Sequence, residues 1–189
     1  KMKAEITKNL EDLSNSDLII SAGNHKLLDK KFIDNNFILN FHGAPLPKYG
    51  GSAAPAFALI NNETKFGCTF QKMNLELDSG PILCEFSFDI EDDMTSYDLD
   101  KKAIDIGIQN LIPALDNYFI RNKDLIFISP SKLVINRRSE LDKYAFIKYQ
   151  NLNRKESIQI IRAFTWPGIL KPAYTIIENK KINLSFSTL

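Results

Sequence analysis

Two short apolar runs constrain the fold of this chain more than any other feature. Residues 17–22 (DLIISA) end at Gly23, and residues 37–41 (FILNF) end at His42. Each run is typical of a strand buried on both faces, and residues 26–33 between them are predicted to form a short helical turn. A strand, a helical connection and a second strand predict parallel pairing in an α/β sheet.

Polar side chains follow both strands. Open α/β sheets bind ligands just beyond the carboxyl ends of their strands, so residues 23–25 and 40–43 are expected to line one crevice. Asn40 and His42 supply an amide and an imidazole there, and Asp78 supplies a carboxylate from a glycine-containing turn. This is the one place in the sequence where three such groups gather.

The three groups suit acyl-group transfer. Imidazole exchanges protons near neutral pH, a carboxylate orients it, and an amide N–H stabilises a developing oxyanion. Because no Ser or Cys occupies a strand-to-helix elbow, direct attack by a bound amine is expected rather than an acyl-enzyme. Each residue also has a structural interpretation: His42 in a Gly/Pro loop, Asp78 in an ordinary turn, and Asn40 at a strand end.

The rest of the chain continues as alternating elements. The patterns predict helices at 3–13, 55–60, 97–119 and 154–164, strands at 66–73 and 82–90, an interrupted strand pair at 125–135, and a C-terminal hairpin around 178–180. Pro113 is expected to kink or break the long helix. Beyond that helix the pattern changes to a smaller α+β tail, which predicts a catalytic core over 1–122 and a C-terminal extension over 123–189.

Charge and apolar patterning exclude several partner classes. The chain has 24 Lys and Arg against 23 Asp and Glu, so no broad basic surface is predicted and no nucleic-acid partner is expected. No apolar run reaches the ~20 residues that span a bilayer, so no membrane partner is expected. Cys68 and Cys84 lie in apolar runs rather than at metal-ligand spacing, which predicts buried thiols, no metal site and a reducing cytoplasm.

An ordered set of motifs resembles the 10-formyltetrahydrofolate-dependent formyltransferases over residues 17 to 120. The matching segments are 40–42 (NFH), 46–51 (LPKYGG), 67–69 (GCT) with Met73, and 77–82 (LDSGPI). Residues 161–168 (IRAFTWPG) and the hairpin after them resemble the nucleotide-sugar N-formyltransferase branch of that family.

The resemblance implies a Rossmann-like formyltransferase core, with 10-formyltetrahydrofolate as co-substrate. It implies transfer of the formyl group to the amine of a nucleotide-linked amino sugar, in the synthesis of lipopolysaccharide or O-antigen sugars. Asn40 would polarise the formyl oxygen, His42 would act as general base or help to hold the intermediate, and Asp78 would position His42 and assist proton transfer. The resemblance also implies contacts to folate at Ser21, Ala22, Gly23, Asn24 and Leu77. It implies contacts to the sugar nucleotide at Lys48 and Tyr49.

The sequence departs from the family pattern in three places. Residues 43–47 (GAPLP) stand where many members carry Ser-Leu-Leu-Pro after the histidine, and Gly50 stands where many carry an arginine before the last glycine of the motif. The strand–helix units that precede the first apolar run in the family are not found among these 189 residues, and the sequence does not decide between a natural short form and a fragment. The sheet is therefore expected to have an uncovered strand edge, which a homodimer or a separate N-terminal segment would cover.

Three other functions compete with sugar formylation. Methionyl-tRNA formyltransferase would be expected to carry a longer basic C-terminal domain, although Lys and Arg do outnumber Asp and Glu after residue 120. Glycinamide ribonucleotide formyltransferase fits less well because its N-terminal phosphate-binding loop is absent. A non-catalytic module that binds folate or a nucleotide sugar is the alternative outside the enzyme class.

Overall fold

The architecture was established from a computed structural model of the chain, which describes residues 7, 13, 16, 18–24, 28–119 and 132–187. The elements in chain order are β1 (Ile19–Ala22), α1 (Lys30–Asn35), β2 (Ile38–His42), β3 (Gly50–Gly51), α2 (Ala54–Ile60), β4 (Lys65–Lys72), β5 (Ile82–Asp89), α3 (Ser96–Phe119), β6 (Ile135–Asn136), α4 (Lys155–Phe164), β7 (Tyr174–Ile177) and β8 (Lys180–Asn183).

The main sheet has four strands in the order β1-β2-β4-β5. β1 and β2 pair in parallel, with Ile19 opposite Ile38 and Ala22 opposite Phe41. β4 and β5 continue the sheet in antiparallel fashion. Two further pairs stand apart from it, a parallel one between β3 and β6 and an antiparallel hairpin of β7 and β8. The predicted α/β class and the parallel pairing of the first two strands are confirmed.

The sheet has one apolar and one polar face, because side chains alternate along each strand. Phe41, Phe70 and Phe86 share the apolar face, where their rings lie 5.3 to 6.4 Å apart. The polar face carries the residues one position away, including Asn40, which lies opposite Gln71 in the register. The candidate site therefore occupies the polar face of this sheet.

The apolar face is covered by α3, the long helix. Leu99 and Ala103 of α3 are fully buried and belong to the same cluster as Phe66 and Cys68 of β4. α2 and α4 extend that cluster through residues such as Ala58 and Ala163, both of which are fully buried. Burial of this surface is the main stabilising term for such an arrangement.

Two local predictions differ from the structure. β1 is not buried on both faces, because Ile20 is 40% exposed while Ile19 and Ser21 are buried. Among the described residues, β1 is the first strand of the sheet and lies at its edge. α3 runs through Pro113 without a break. A proline removes only one intrahelical hydrogen bond, and residues on both sides of it, such as Leu115, still pack into the interior.

The remaining predicted elements agree with the structure where it describes them. Helices form at Ala54–Ile60 and Lys155–Phe164, and the C-terminal hairpin turns at Glu178 and Asn179, which both have positive φ. The helix predicted at 3–13 and most of the strand pair predicted at 125–135 lie outside the described residues.

Candidate active site

Asn40 and His42 point to the polar face of the sheet from alternate positions of β2. Asn40 lies between Ser21 of β1 and Gln71 of β4, and His42 lies opposite Thr69. Within the described residues, the Asn40 side chain has no recorded hydrogen-bond partner. Its amide N–H groups are therefore available to a ligand on this face.

Asp78 reaches the same place from the loop between β4 and β5. Its backbone has φ 52°, a left-handed conformation that is uncommon outside glycine. The side chain is nearly buried, and Oδ2 accepts a 2.7 Å hydrogen bond from the backbone N–H of Gly51. The other oxygen, Oδ1, lies 3.6 Å from Nδ1 of His42. The structure thus brings the three predicted catalytic side chains onto one face.

Both ring nitrogens of His42 face acceptors. Nε2 lies 2.7 Å from the backbone oxygen of Tyr49, while Nδ1 faces the Asp78 carboxylate. A neutral imidazole donates one hydrogen bond, whereas a ring protonated on both nitrogens donates to both acceptors. Both ring nitrogens are therefore directed at protein acceptors in this conformation.

Tyr49 is a core residue rather than a surface one. It is 2% exposed, and its hydroxyl donates to Oε1 of Glu63 over 2.7 Å while accepting from the Asn61 amide. Burial raises the pKa of Tyr49 well above its usual value. Its ring is closed to a ligand in this conformation, and its contact with the site is the carbonyl that faces His42.

Lys48 remains accessible at the edge of the site. Its Nζ lies 2.7 Å from Oε1 of Glu63, and its side chain is 60% exposed. Burial acts to raise the pKa of Glu63, but hydrogen bonds from Lys48 and Tyr49 outweigh it, and the pKa lies below its usual value. Glu63 therefore stays ionised and anchors both predicted substrate-binding residues.

Thr69 fixes the loop that follows His42. Its hydroxyl donates to the carbonyl of Ala44 over 2.8 Å and accepts from the backbone N–H of Leu46 over 3.1 Å. The Leu46–Pro47 peptide in this loop is cis. Since Thr69 of β4 lies opposite His42 in the register, its side chain fixes the loop next to the end of β2.

Gly51 is required by the backbone of β6. A Cβ at Gly51 would lie 2.3 Å from the carbonyl oxygen of Asn136, and the residue has φ 85°, which disfavours other residues. At Gly50 the restriction is weaker, because a Cβ there would lie 2.9 Å from Cδ1 of Leu133, the end of a flexible side chain.

The residues predicted to contact folate flank the three polar groups on two sides. Ser21, at the centre of β1, is 8% exposed, and its Oγ has no hydrogen-bond partner within the described structure. Ala22, Gly23 and Asn24 continue from it at the end of the strand. Leu77 lies on the opposite side, directly before Asp78, and is 62% exposed. The arrangement offers the unpaired hydroxyl of Ser21 and the apolar surface of Leu77 to a ligand.

Gln71 and Thr69 are the site residues that sequence reasoning missed. Gln71 is buried, and its Nε2 donates to Oδ1 of Asp78 over 3.3 Å. Both residues are polar positions that alternate with Cys68, Phe70 and other apolar residues of β4. That alternation, read as a sheet with a polar face, was the signal that would have found them.

Two features are missing from the described ranges of the chain. No group of three or more His, Cys, Asp or Glu side chains in the described ranges is placed to hold a metal ion. No described helix is long and apolar enough to cross a membrane.

Residues 1–115 match the family described as formyl transferase. Methionyl-tRNA formyltransferase from Thermodesulfovibrio yellowstonii is 28% identical over 188 residues, which cover 97% of this chain and 58% of that protein. The chain thus spans little more than half the length of that relative.

Solved structures agree with the fold. A 4-N formyltransferase from Francisella tularensis superposes with a TM-score of 0.77 at 23% identity, covering 98% of this chain and 78% of that one. An N-formyltransferase from Helicobacter canadensis, in complex with folinic acid and dTDP-3-aminofucose, superposes with a TM-score of 0.70 at 20% identity, covering 92% and 64%. The predicted Rossmann-like core is confirmed.

Proposed function

The chain belongs to the formyl transferase family, and from that premise we propose that it transfers a formyl group from 10-formyltetrahydrofolate to the amine of a nucleotide-linked amino sugar. One observation carries the proposal: Asn40, His42 and Asp78 lie on one face of the sheet, with Asp78 Oδ1 3.6 Å from His42 Nδ1. Function on a shared fold is decided by the site, and this one has the groups that formyl transfer needs.

The reaction begins with attack of the neutral amine on the formyl carbon. A carbon–nitrogen bond forms, and the carbonyl electron pair moves to the formyl oxygen, where the Asn40 amide stabilises it as an oxyanion by donating a hydrogen bond. His42, whose two ring nitrogens face the Tyr49 carbonyl and Asp78, supports the developing charge electrostatically rather than by a direct hydrogen bond. Collapse of the tetrahedral intermediate re-forms the carbonyl and breaks the bond to the folate nitrogen. The proton released by the amine is transferred to that nitrogen, with Asp78 as the group placed to assist it.

Unpaired polar atoms on the polar face support a folate-sized ligand there. The Oγ of Ser21 is buried without a partner on one side of Asn40, and Leu77 presents apolar surface on the other side of the site. The Helicobacter canadensis protein is described with folinic acid and dTDP-3-aminofucose, a folate and a nucleotide-linked amino sugar. Lys48, exposed beside the site, is the cation we assign to the sugar nucleotide.

Formylation of methionyl-tRNA is the second candidate. It is favoured by the name of the Thermodesulfovibrio yellowstonii relative and by the excess of Lys and Arg after residue 120. A salt-dependent gel shift with initiator tRNA separates the two functions, because phosphate contacts weaken steeply as salt concentration rises. A nucleotide-sugar enzyme gives no such shift.

We propose two features of the wider molecule along with this function. The catalytic core ends near residue 122, and residues 123–189 form the α+β extension. The chain acts as a homodimer in the cytoplasm, since β1 is an edge strand with no neighbour on its outer side within the described residues. Sedimentation of the purified chain measures the oligomeric state directly.

The proposal is tested by assaying the purified chain with 10-formyltetrahydrofolate and a panel of dTDP- and GDP-linked amino sugars. We expect turnover with a member of the panel and a fall in rate at acid pH, because the attacking amine must be neutral. His42→Asn is expected to lower kcat by about 100-fold or more while folate binding persists. Asp89→Asn, which alters an exposed carboxylate on β5, is the matched control.

Absence of both turnover and folate binding in the wild-type chain would reject the proposal. Folate binding without turnover, unchanged by His42→Asn, would support the alternative of a non-catalytic binding module.

A further inference from the structure

We propose that Gln71 is a positioning residue of this site, which sets the orientation of the Asp78 carboxylate towards His42. The inference rests on the proposed function, because Asp78 and His42 have their roles there. It adds a fourth side chain to the three that the sequence motifs identify.

The geometry places Gln71 where it can control Asp78. Its Nε2 donates to Oδ1 of Asp78 over 3.3 Å, and this is the same oxygen that lies 3.6 Å from Nδ1 of His42. The other oxygen accepts from the backbone N–H of Gly51 over 2.7 Å. One donor on each oxygen fixes the plane of a carboxylate, whereas a single donor leaves it free to rotate. Without Gln71, the backbone N–H of Gly51 would be the one hydrogen-bond donor to the carboxylate, and Oδ1 would face His42 alone.

An amide is chemically suited to this position. It donates a hydrogen bond without carrying charge, so His42 keeps its place as the facing group of Asp78. A lysine or arginine would pair with the carboxylate and displace His42 as its counter-charge. An apolar side chain would leave Oδ1 with His42 alone. Gln71 therefore orients the acid without neutralising it.

Stability alone does not explain a glutamine here. Gln71 is 2% exposed, and its Oε1 is buried without a hydrogen-bond partner in the described structure. An unsatisfied buried acceptor costs free energy, and an apolar residue of similar length would avoid that cost. Exchanging the amide oxygen and nitrogen offers no relief, because it would set Oε1 against the Asp78 carboxylate.

The backbone at Asp78 adds a second reason for such a support. With φ 52°, the residue is held in a sparsely populated conformation at the tip of a loop. Strained residues keep their geometry only where neighbouring groups hold them. Gln71 lies on β4, a central strand, and so ties this loop position to the rigid part of the sheet.

Gln71→Met tests the role, because methionine has similar length and flexibility but no N–H donor. We expect kcat to fall by about 10- to 100-fold with the KM for both substrates nearly unchanged, as for other residues that orient a catalytic group. Thermal stability should be equal or higher, since an unsatisfied acceptor is removed. Ser87→Ala, an exposed position on the same sheet face, should match wild type.

Gln71→Glu provides the distinguishing pH profile. A protonated carboxyl has the shape of the amide and donates to Asp78, whereas the ionised form repels it. The groups that face this position are Asp78 and His42, so the introduced acid and Asp78 titrate as a pair. We expect this variant to be slow at neutral pH and to regain relative activity as the pH falls, while the wild-type rate only declines.

Two results would overturn the inference. One is a wild-type kcat and pH profile in Gln71→Met; the other is a loss of activity that appears only together with lost substrate binding or lost stability.

A readout without turnover separates this inference from the proposed function. The imidazole signals of His42, assigned in nitrogen-labelled protein with His42→Asn, report on the group facing Nδ1. We expect the chemical shifts of the His42 ring nitrogens to differ between wild type and Gln71→Met at the same pH, because the Asp78 carboxylate that faces Nδ1 changes its orientation. Changed shifts, found although the wild-type chain shows no turnover, support the positioning role and reject the proposed function. Identical shifts in the two chains reject the positioning role itself.

Discussion

Two thiols lie on the apolar face of the main sheet, and burial suppresses their chemistry. Cys68 is fully buried, and burial raises its pKa to about 12, with small contributions from Cys84 and Glu85. Burial also raises the pKa of Cys84 to about 11. Both values lie above the ordinary thiol value of 9.0, so the folded chain holds these protons to higher pH than the unfolded chain does.

The thiols should therefore be unreactive in the folded chain and should contribute a pH-dependent stability. Their contribution is complete below about pH 9 and is lost as the pH rises towards 11 and 12, because the unfolded state ionises first. We expect disulfide-reagent labelling at pH 8 to be at least about 100-fold slower in the native than in the urea-unfolded chain. Measured by urea denaturation, the free energy of unfolding of the wild-type chain should fall between pH 9 and 11. It should fall less steeply in the double variant Cys68→Ala/Cys84→Ala. Rapid labelling of both native thiols would contradict the burial argument.

At the scale of single residues, the sequence predicted which side chains belong to the candidate site better than it predicted what surrounds each of them. Asn40, His42 and Asp78 could be named because their chemistry is visible in the letters and in the family motifs. The carbonyl of Tyr49 that faces His42 could not, since every residue has a carbonyl and only the fold selects one. Gln71 was not predicted because its partner, Asp78, lies seven residues further along the chain, and the strand has an irregularity between Phe70 and Gln71.

Among the elements, α4 is joined to the loop before α3 by a single buried guanidinium. Nε of Arg162 donates to the carbonyl of Met94, and one terminal nitrogen donates to that of Glu91, both over 2.7 Å. On the neighbouring turn, the hydroxyl of Ser96 donates to the carbonyl of Ala163. These hydrogen bonds connect α4 to the segment between β5 and α3. They add to the apolar packing that α4 already shares with the rest of the core.

Arg162→Lys should weaken this junction, because an ammonium does not reproduce the two directed donors of a guanidinium. We expect the free energy of unfolding to fall by about 1.5–3 kcal/mol, the range for buried hydrogen bonds that involve a charged group. Arg154→Ala, at the exposed start of the same helix, should stay within about 0.5 kcal/mol of wild type. Urea denaturation measures both, and equal stability of the two variants would contradict the assignment.

The elements themselves were largely predictable. The two predictions that failed, the burial of β1 on both faces and an interruption of α3 at Pro113, did so for physical reasons. Strand and helix periodicities located β2, β4, β5, α2 and α4 to within a residue or two at most of their ends. The burial of β1 was wrong because its apolar run is typical of a central strand, whereas in the sheet it lies at an edge. Whether a neighbour covers an apolar run depends on the tertiary arrangement, which local sequence does not encode.

At the scale of the whole molecule, α3 packs directly on the ring of Phe41 in β2 through a residue that has no side chain, Gly107. A Cβ at Gly107 would lie 2.4 Å from Cε2 of Phe41, so the helix can approach the sheet only because residue 107 is glycine. Phe41 lies between Asn40 and His42 in β2, on the opposite face. The helix layer is therefore in direct contact with the strand that carries two of the proposed catalytic groups.

Gly107→Ala should therefore reduce both stability and activity. Alanine in a helix interior normally stabilises by about 1 kcal/mol relative to glycine, but here the methyl group overlaps the ring of Phe41. We expect unfolding free energy to fall by about 1–3 kcal/mol and kcat to fall with it as Phe41 shifts. Gln109→Ala, exposed on the same helix, serves as the control. A stabilised and fully active Gly107→Ala chain would show that the ring relaxes without disturbing the site.

The alternation of the main sheet has a consequence for how a protein of this family could acquire new ligands. Its packing and its proposed chemistry occupy opposite sides of the same strands, so a change at Ser21 or Glu85 alters the surface offered to a ligand while leaving the phenylalanine layer intact. A variant library restricted to those two positions should therefore contain mostly folded members. In evolutionary terms, the sheet separates the residues that preserve the protein from those free to diversify its specificity.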